Sequence, residues 1–100
     1  MEQPQPLDDS TLARSARDAD DQELVRRIAR GDGHALDALV LRYSQPLAEI
    51  AAFITGSPDL AQDAVQDVFI RIWDHRTMLH IQGSVIAYLA RAVRNQAKNV

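Results

Sequence analysis

Residues 88–100, with the sequence YLARAVRNQAKNV, carry nitrogen-rich side chains and no acid. At the helical rotation of about 100° per residue, four of them fall within an arc of about 100°. These are Arg91, Arg94, Asn95 and Lys98. Leu89 and Val93 fall on the opposite side, which predicts a buried face. Cationic side chains attract anions, so the pattern predicts one face that is buried and one that meets an anionic partner.

Tyr88 begins this segment and falls about 60° from Arg91 on the helical wheel. An aromatic ring beside cations is suited to stacking on an unpaired base. The alternative is that Tyr88 is half-buried at the start of the helix. The sequence leaves both interpretations open.

Composition places these residues in one small domain. The chain has 100 residues, 46% hydrophobic side chains and a net charge of −3. It has no cysteine, which suits a reducing cytoplasm and excludes a thiol nucleophile. Neither an apolar run of about 20 residues nor a signal peptide is present, so we expect no membrane insertion.

Charge differs sharply between the two ends of the chain. Residues 1–23 contain seven acids and two arginines, whereas residues 75–100 contain four cations and no acid. The stretch to about Ala19 is polar and contains two prolines, so we predict a disordered acidic arm over residues 1–19. We predict the folded domain over residues 20–100.

Helix start and stop signals predict an all-α fold, a compact bundle of about four helices. A capping-box pattern at Asp20 and Glu23 predicts a first helix ending at Gly31. A second runs from Asp32 or Gly33 to Gly56, with Pro46 expected to bend it or open a hydrogen bond. Ser57, Pro58 and Asp59 start a third helix that ends at Asp74 or His75. After a loop over residues 76–83, Ser84 caps a fourth helix that we expect to continue through Val100.

The third helix has two contrasting faces. Its core stripe comprises Ala61, Val65, Val68, Phe69 and Ile72. The other face comprises Asp63, Gln66, Asp67, Ile70 and Asp74. This face is either a solvated charged surface, or a docking surface for a basic helical partner with Ile70 as the apolar anchor.

Three motifs in order resemble region 2 of the extracytoplasmic-function (ECF) sigma factors of bacterial RNA polymerase. They are DQELVRRIARGDGHALDALVLRYSQPL, DLAQDAVQDVFIRIW and GSVIAYLARAVRNQAKN, which together cover roughly residues 20–100. The resemblance implies a four-helix domain that works in transcription initiation and is not an enzyme. It implies that the third helix binds the clamp helices of the largest polymerase subunit. It also implies that the last helix and the preceding loop recognise and melt the minus-ten promoter element through its non-template strand.

Residue by residue, the resemblance assigns two surfaces. The polymerase-binding surface comprises Asp63, Gln66, Asp67 and Ile70. The DNA-binding surface comprises Arg91, Arg94, Asn95 and Lys98 with Tyr88, and the candidates from the specificity loop are Arg76 and His80. Melting requires no covalent chemistry, because stacking, base-edge hydrogen bonds and phosphate contacts offset the cost of holding a base outside the stack.

Two alternatives remain beside this interpretation. His34, His75 and His80 with Asp74 suggest a metal or acid–base site, but their spacing is not that of a helical ligand pair, so we expect no metal and no cofactor. The second alternative is a helical protein-interaction module that does not bind DNA. The resemblance further implies an anti-sigma factor as a partner. It also implies a second, helix-turn-helix domain (region 4), which is absent here, so we expect the chain to be a fragment.

Overall fold

The fold consists of four helices and one short 3₁₀ turn. The structure is a computed structural model, and it describes the backbone of residues 9–99 and the side chains of residues 13, 14 and 16–99. The helices are α1 (Asp9–Ala29), α2 (Gly33–Thr55), α3 (Pro58–Asp74) and α4 (Val85–Ala97). A 3₁₀ turn spans Arg76–Met78 between α3 and α4. The described residues contain no strand, and the prediction of an all-α four-helix bundle is confirmed.

Side-chain caps start three of the helices where the sequence predicted them. Asp32 accepts hydrogen bonds from two backbone amides at the start of α2, and the guanidinium of Arg27 beside it lowers the pKa of this carboxyl. Ser57 accepts from the amide of Leu60 at 3.2 Å, and Ser84 accepts from the amide of Ala87 at 3.2 Å. Each cap satisfies a backbone donor that the first helical turn leaves free.

Helix α2 continues through Pro46 and ends where its backbone turns into the left-handed region at Gly56, with φ of 71°. It packs against α1, α3 and α4, and so lies at the centre of the bundle. The predicted core stripe of α3 is buried throughout, and Leu89 and Val93 of α4 are buried against it. This packing fixes which faces of α3 and α4 point outward.

The first helix begins at Asp9, so the predicted start near Asp20 is wrong for the backbone. Residues 9–19 contain no glycine or proline, and alanine and arginine favour helix, so nothing stops the helix from extending. Most described side chains between residues 13 and 20 are exposed, so this helical extension contributes little to the core. The part of the predicted arm at residues 1–8 lies outside the described residues.

Helix α4 ends at Ala97, with Lys98 as its C-terminal cap, and so is shorter than predicted. The amides of Lys98 and Asn99 close the last turn onto the carbonyls of Arg94 and Gln96. Val100 lies outside the described residues. Within the described part of the chain, no helix combines the length and apolar character needed to cross a membrane.

Candidate functional site

The nitrogen-rich face of α4, defined by Arg91, Arg94, Asn95 and Lys98, is exposed in the structure. Among the residues that the structure describes, no carboxylate lies within 4.0 Å of its three cations. The side-chain amide of Asn95 likewise has no hydrogen-bond partner in this part of the chain. The face therefore presents positive charge and a free amide to an external ligand.

A groove of about 410 Å³ adjoins this face, between the C-terminal end of α3, the 3₁₀ turn and α4. We call it the loop groove. It brings together three residues that the sequence proposed for DNA binding, His80, Tyr88 and Asn95. Tyr88 is 39% exposed, so part of its side chain is buried and part is open to a ligand. Half-burial at the helix start and stacking on a base are therefore compatible roles for this residue. An aromatic ring, an imidazole and an amide around one concavity are suited to a flat heterocycle.

Sequence reasoning missed several polar residues of the loop groove. Arg71 and His75 line it from the end of α3, and Gln96 and Asn99 line it from α4. Asn99 also donates a hydrogen bond to the backbone carbonyl of Asn95 at 3.0 Å. The i, i+4 spacings of Arg71 with His75 and of Asn95 with Asn99 are the signals that could have found them.

Arg76 lies apart from the groove-lining residues. Its guanidinium carbon stands 4.3 Å from the centroid of the Trp73 ring, and its Nη1 donates to the Trp73 carbonyl at 2.9 Å. These contacts stabilise the end of α3 by a cation–π interaction and a helix-capping hydrogen bond. Its proposed DNA contact stays a prediction.

The predicted polymerase surface of α3 is exposed at all four positions, Asp63, Gln66, Asp67 and Ile70. Ile70 is 56% exposed. Gln66 and Ile70 line a second concavity, of about 660 Å³, between α2 and α3, whose other walls include Val40 and Ala48. We call it the apolar groove, because its lining is mainly carbon.

Asp67 lies on the other side of this surface, towards α4. It accepts a hydrogen bond from Nε2 of Gln96 at 3.2 Å. Gln96 also lines the loop groove. The predicted polymerase surface and the loop groove therefore meet at the contact between these two side chains.

Helix α1 holds the loop that forms one wall of the loop groove. Nε2 of Gln22 donates to the carbonyls of Ile81 at 3.1 Å and Gly83 at 2.8 Å. Ile81 is itself buried, which anchors the loop beside the exposed His80. Sequence reasoning missed Gln22, because a hydrogen bond between residues so far apart in the chain leaves no local pattern.

The three histidines do not gather into a metal site in the described structure. His75 and His80 both line the loop groove, whereas His34 lies at the start of α2 beside Trp73. No group of three or more histidine and acidic side chains among the described residues could hold a metal ion.

Comparison with known proteins identifies the family. Residues 39–100 match the family model described as Sigma-70 region 2. The RNA polymerase sigma-H factor of Pseudomonas aeruginosa is 36% identical over 81 residues, which cover 79% of this chain and 41% of that protein. The ECF RNA polymerase sigma-E factors of Escherichia coli K12 and Salmonella typhimurium are 33% identical over 79 residues, with the same coverage.

This chain thus spans 41% of the length of these relatives. No solved structure matches it. The family model covers α3, α4, the loop between them and most of α2, which are the elements that build both grooves. The chain belongs to the sigma-70 region 2 family of bacterial transcription initiation factors.

Proposed function

We propose that the chain is the region 2 domain of an ECF sigma factor. In this proposal it binds RNA polymerase core through α3, and it recognises and melts the minus-ten promoter element through α4 and the preceding loop. The names of the sigma-E relatives support the ECF assignment. It acts with the polymerase in the cytoplasm, and it has no enzymatic activity of its own.

The observation that carries the DNA-binding part is the loop groove beside the nitrogen-rich face. His80 and Tyr88 supply stacking surfaces and Asn95 supplies base-edge hydrogen bonds, all around one concavity. The cations of α4 stand beside it, where they would hold the phosphates of the same strand. A base turned out of the duplex and its backbone would thus be bound together, which offsets the cost of unstacking it.

The polymerase-binding part rests on the two halves of the α3 surface. The apolar groove, with Ile70 at its edge, would bury the apolar side chains of a bound partner. The exposed carboxylates of Asp63 and Asp67 would attract a partner with basic side chains. A basic, amphipathic coiled coil offers both features to one face. The clamp helices of the largest polymerase subunit are the partner that the resemblance implies.

The experiment that tests promoter binding compares two DNAs in the presence of RNA polymerase core. One carries a pre-opened bubble across the minus-ten element, and the other is fully paired. We expect the bubble to bind more tightly, and Tyr88→Ala to weaken bubble binding by about 1–3 kcal/mol through lost base stacking. Phe53→Ala is the matched control, because Phe53 is an aromatic residue on α2 that is 93% exposed and lies outside both grooves.

The alternative, a helical interaction module, predicts a different result. In that case the chain would capture polymerase or another protein, and neither DNA would bind in a salt-dependent manner. An anti-sigma factor as a further partner, implied by the resemblance, stays a prediction.

A further inference from the structure

Met78 is the last residue of the 3₁₀ turn, and it lines the loop groove. It is 83% exposed, although its side chain is apolar. The next apolar residues of the loop turn inward, because Leu79 packs against the core and Ile81 is buried. A single exposed apolar residue is ordinary on a flat surface, but one that lines a concavity is placed to contact a ligand.

Backbone hydrogen bonds fix the place of Met78 at the groove. Its amide donates to the carbonyl of His75 at 3.0 Å, and the amide of Leu79 donates to the carbonyl of Arg76 at 3.2 Å. The guanidinium of Arg76 is bonded in turn to the carbonyl of Trp73 on α3. The turn is therefore anchored to the end of α3, and a chemical change in the Met78 side chain takes effect at the groove.

Thioethers are the side chains of this sequence that peroxides oxidise most readily. The sequence contains no cysteine and two methionines, Met1 and Met78, so no thiol reacts in their place. The sulfur of Met78 attacks one oxygen of hydrogen peroxide, and the S–O bond forms as the O–O bond breaks. The proton of the transferred oxygen passes to the departing hydroxide, which leaves as water. Sulfur loses two electrons in this step, and the peroxide gains them.

Sulfoxide formation changes what the loop groove presents to a ligand. It converts a flexible apolar side chain into a polar one whose oxygen accepts hydrogen bonds and carries partial negative charge. A thioether packs favourably against aromatic rings, whereas the sulfoxide oxygen repels phosphate oxygens. His80 and Tyr88 line the same groove, so the change occurs among the groups that we assign to base binding.

We propose that Met78 is an oxidation site that controls DNA binding in the loop groove. The thioether form binds the opened promoter strand, and the sulfoxide form binds it more weakly. This inference rests on the proposed function and adds a reversible chemical control to it. Methionine sulfoxide reductases reverse the step, because two of their thiols form a disulfide while the sulfoxide oxygen leaves as water.

In the test, the chain is treated with hydrogen peroxide, freed of oxidant and then assembled with RNA polymerase core on DNA with a pre-opened bubble. Peptide mass spectrometry should show one added oxygen at Met78. Bubble binding should weaken by about threefold to tenfold through the lost thioether contact, and capture of polymerase core should be unchanged. Methionine sulfoxide reductases A and B, which reduce the two sulfoxide epimers, should restore bubble binding.

Three variants separate Met78 from oxidation elsewhere in the chain. Met78→Leu stays apolar but has no sulfur, so it should bind the bubble like wild type and lose nothing on peroxide treatment. Met78→Gln places a polar group at the same position and should reproduce the weaker binding without any oxidant. Phe53→Gln makes an apolar-to-polar change at an exposed position outside the loop groove and should leave DNA binding unchanged. Helical content by circular dichroism should be the same in every variant.

Protection by DNA gives an independent measurement. In the assembled holoenzyme, bubble DNA should slow the oxidation of Met78, because the bound strand covers the loop groove. Oxidation of Met1, read from a separate peptide in the same sample, corrects for any effect of DNA on the oxidant.

Full bubble binding by a chain oxidised at Met78 would overturn the inference, and so would an equal loss when Met78→Leu is oxidised. Equal rates of Met78 oxidation with and without DNA would remove this residue from the DNA contact. Failure of the untreated wild-type chain to bind the bubble would instead reject the proposed function itself.

Discussion

The carboxylate of Asp21 on α1 and the guanidinium of Arg42 on α2 form an ion pair, with Nη1 2.6 Å from Oδ1. Asp21 is fully buried, and its second oxygen accepts a hydrogen bond from the hydroxyl of Tyr43. The pair fixes the rotation of α1 against the central helix. Since Gln22 follows directly in the chain, the same contact orients the residue that ties the loop to α1.

Asp21→Ala should destabilise the domain by about 2–4 kcal/mol, because it leaves the hydroxyl of Tyr43 buried without its partner and Arg42 without its counter-ion. Arg42 is partly exposed and is rehydrated, which keeps the loss below that of a fully buried pair. Urea denaturation measures the change. Asp20→Ala, at the exposed neighbouring position, should stay within about 0.5 kcal/mol of wild type. Similar losses for both variants would mean that the pair does not hold α1 in place.

Alkaline pH should destabilise the domain through Tyr43. Burial, together with the hydrogen bond to Asp21, raises the pKa of the Tyr43 phenol well above its ordinary value of 10.0. A raised pKa in the folded state gives stability that is present below the unfolded pKa and is lost as the pH rises above it. The melting temperature of wild type should therefore fall more steeply above about pH 10 than that of Tyr43→Phe. Parallel curves for the two proteins would contradict this assignment.

Gln22→Ala should impair promoter opening without impairing polymerase binding. The variant removes both hydrogen bonds that hold the carbonyls of Ile81 and Gly83, so the wall of the loop groove becomes mobile while α3 is untouched. We expect amide hydrogen exchange at residues 79–83 to accelerate. Opening, followed with a fluorescent base analogue at the minus-ten element, should slow by about threefold to tenfold, the effect of about 1 kcal/mol.

Unchanged opening kinetics despite faster exchange would show that the loop position does not limit melting. Equal losses of opening and of polymerase capture would point to general destabilisation of the domain. Glu49→Ala, at an exposed position of α2 outside both grooves, is a control in the opening assay for truncation of a side chain of similar length.

Local signals made much of this fold predictable. The starts of α2, α3 and α4 follow from Asp32, Ser57 and Ser84, because a cap and the helix that it starts are adjacent in the chain. The outward faces of α3 and α4 follow from the spacing of their apolar residues in the same way.

Contacts between distant residues were beyond such reasoning. Asp21 bonds to residues of α2, and Gln22 bonds to a loop near the other end of the chain. One signal for Asp21 was present, because it shares an i, i+3, i+4, i+7 face with Leu24, Val25 and Ile28, all of them buried. The grooves themselves arise only when helices pack, so their residues could be nominated singly but not as groups.

The α3 surface should distinguish charge from apolar contact in polymerase binding. Asp67→Lys should weaken capture of RNA polymerase core by about 1–3 kcal/mol, and the loss should shrink at high salt because it is electrostatic. Ile70→Ala should also weaken capture, with little dependence on salt, because the exposed side chain of Ile70 lines the apolar groove and would be buried by the bound partner. Asp74→Lys makes the same charge reversal at an exposed position at the end of the same helix, outside that groove. It measures the effect of the charge reversal alone. Unaltered capture by both the Asp67 and Ile70 variants would make this face a solvated surface.

The nitrogen-rich face of α4 should separate phosphate contacts from base recognition. Arg91, Arg94 and Lys98 are exposed and stand outside the loop groove, so alanine at each position should weaken all DNA sequences alike. The slope of log affinity against log salt should flatten by about 0.7–0.9 unit for each lost phosphate contact. Asn95 lines the groove, and its side-chain amide has no hydrogen-bond partner among the described residues, so Asn95→Ala should cost about 1–3 kcal/mol on the preferred minus-ten sequence.

On an unrelated sequence, Asn95→Ala should cost far less, and its salt slope should match that of wild type, because an amide carries no charge to exchange with counterions. Holoenzyme reconstituted with polymerase core on a pre-opened bubble is the suitable assay, since in the proposed function the domain meets DNA while it is bound to the core. Asn99→Ala refines the result: Asn99 donates to the backbone carbonyl of Asn95 and lines the same groove, so it should reduce discrimination by a smaller amount. Equal losses on both sequences for Asn95→Ala would make this residue a backbone contact, and the base would then be recognised by His80 and Tyr88 alone.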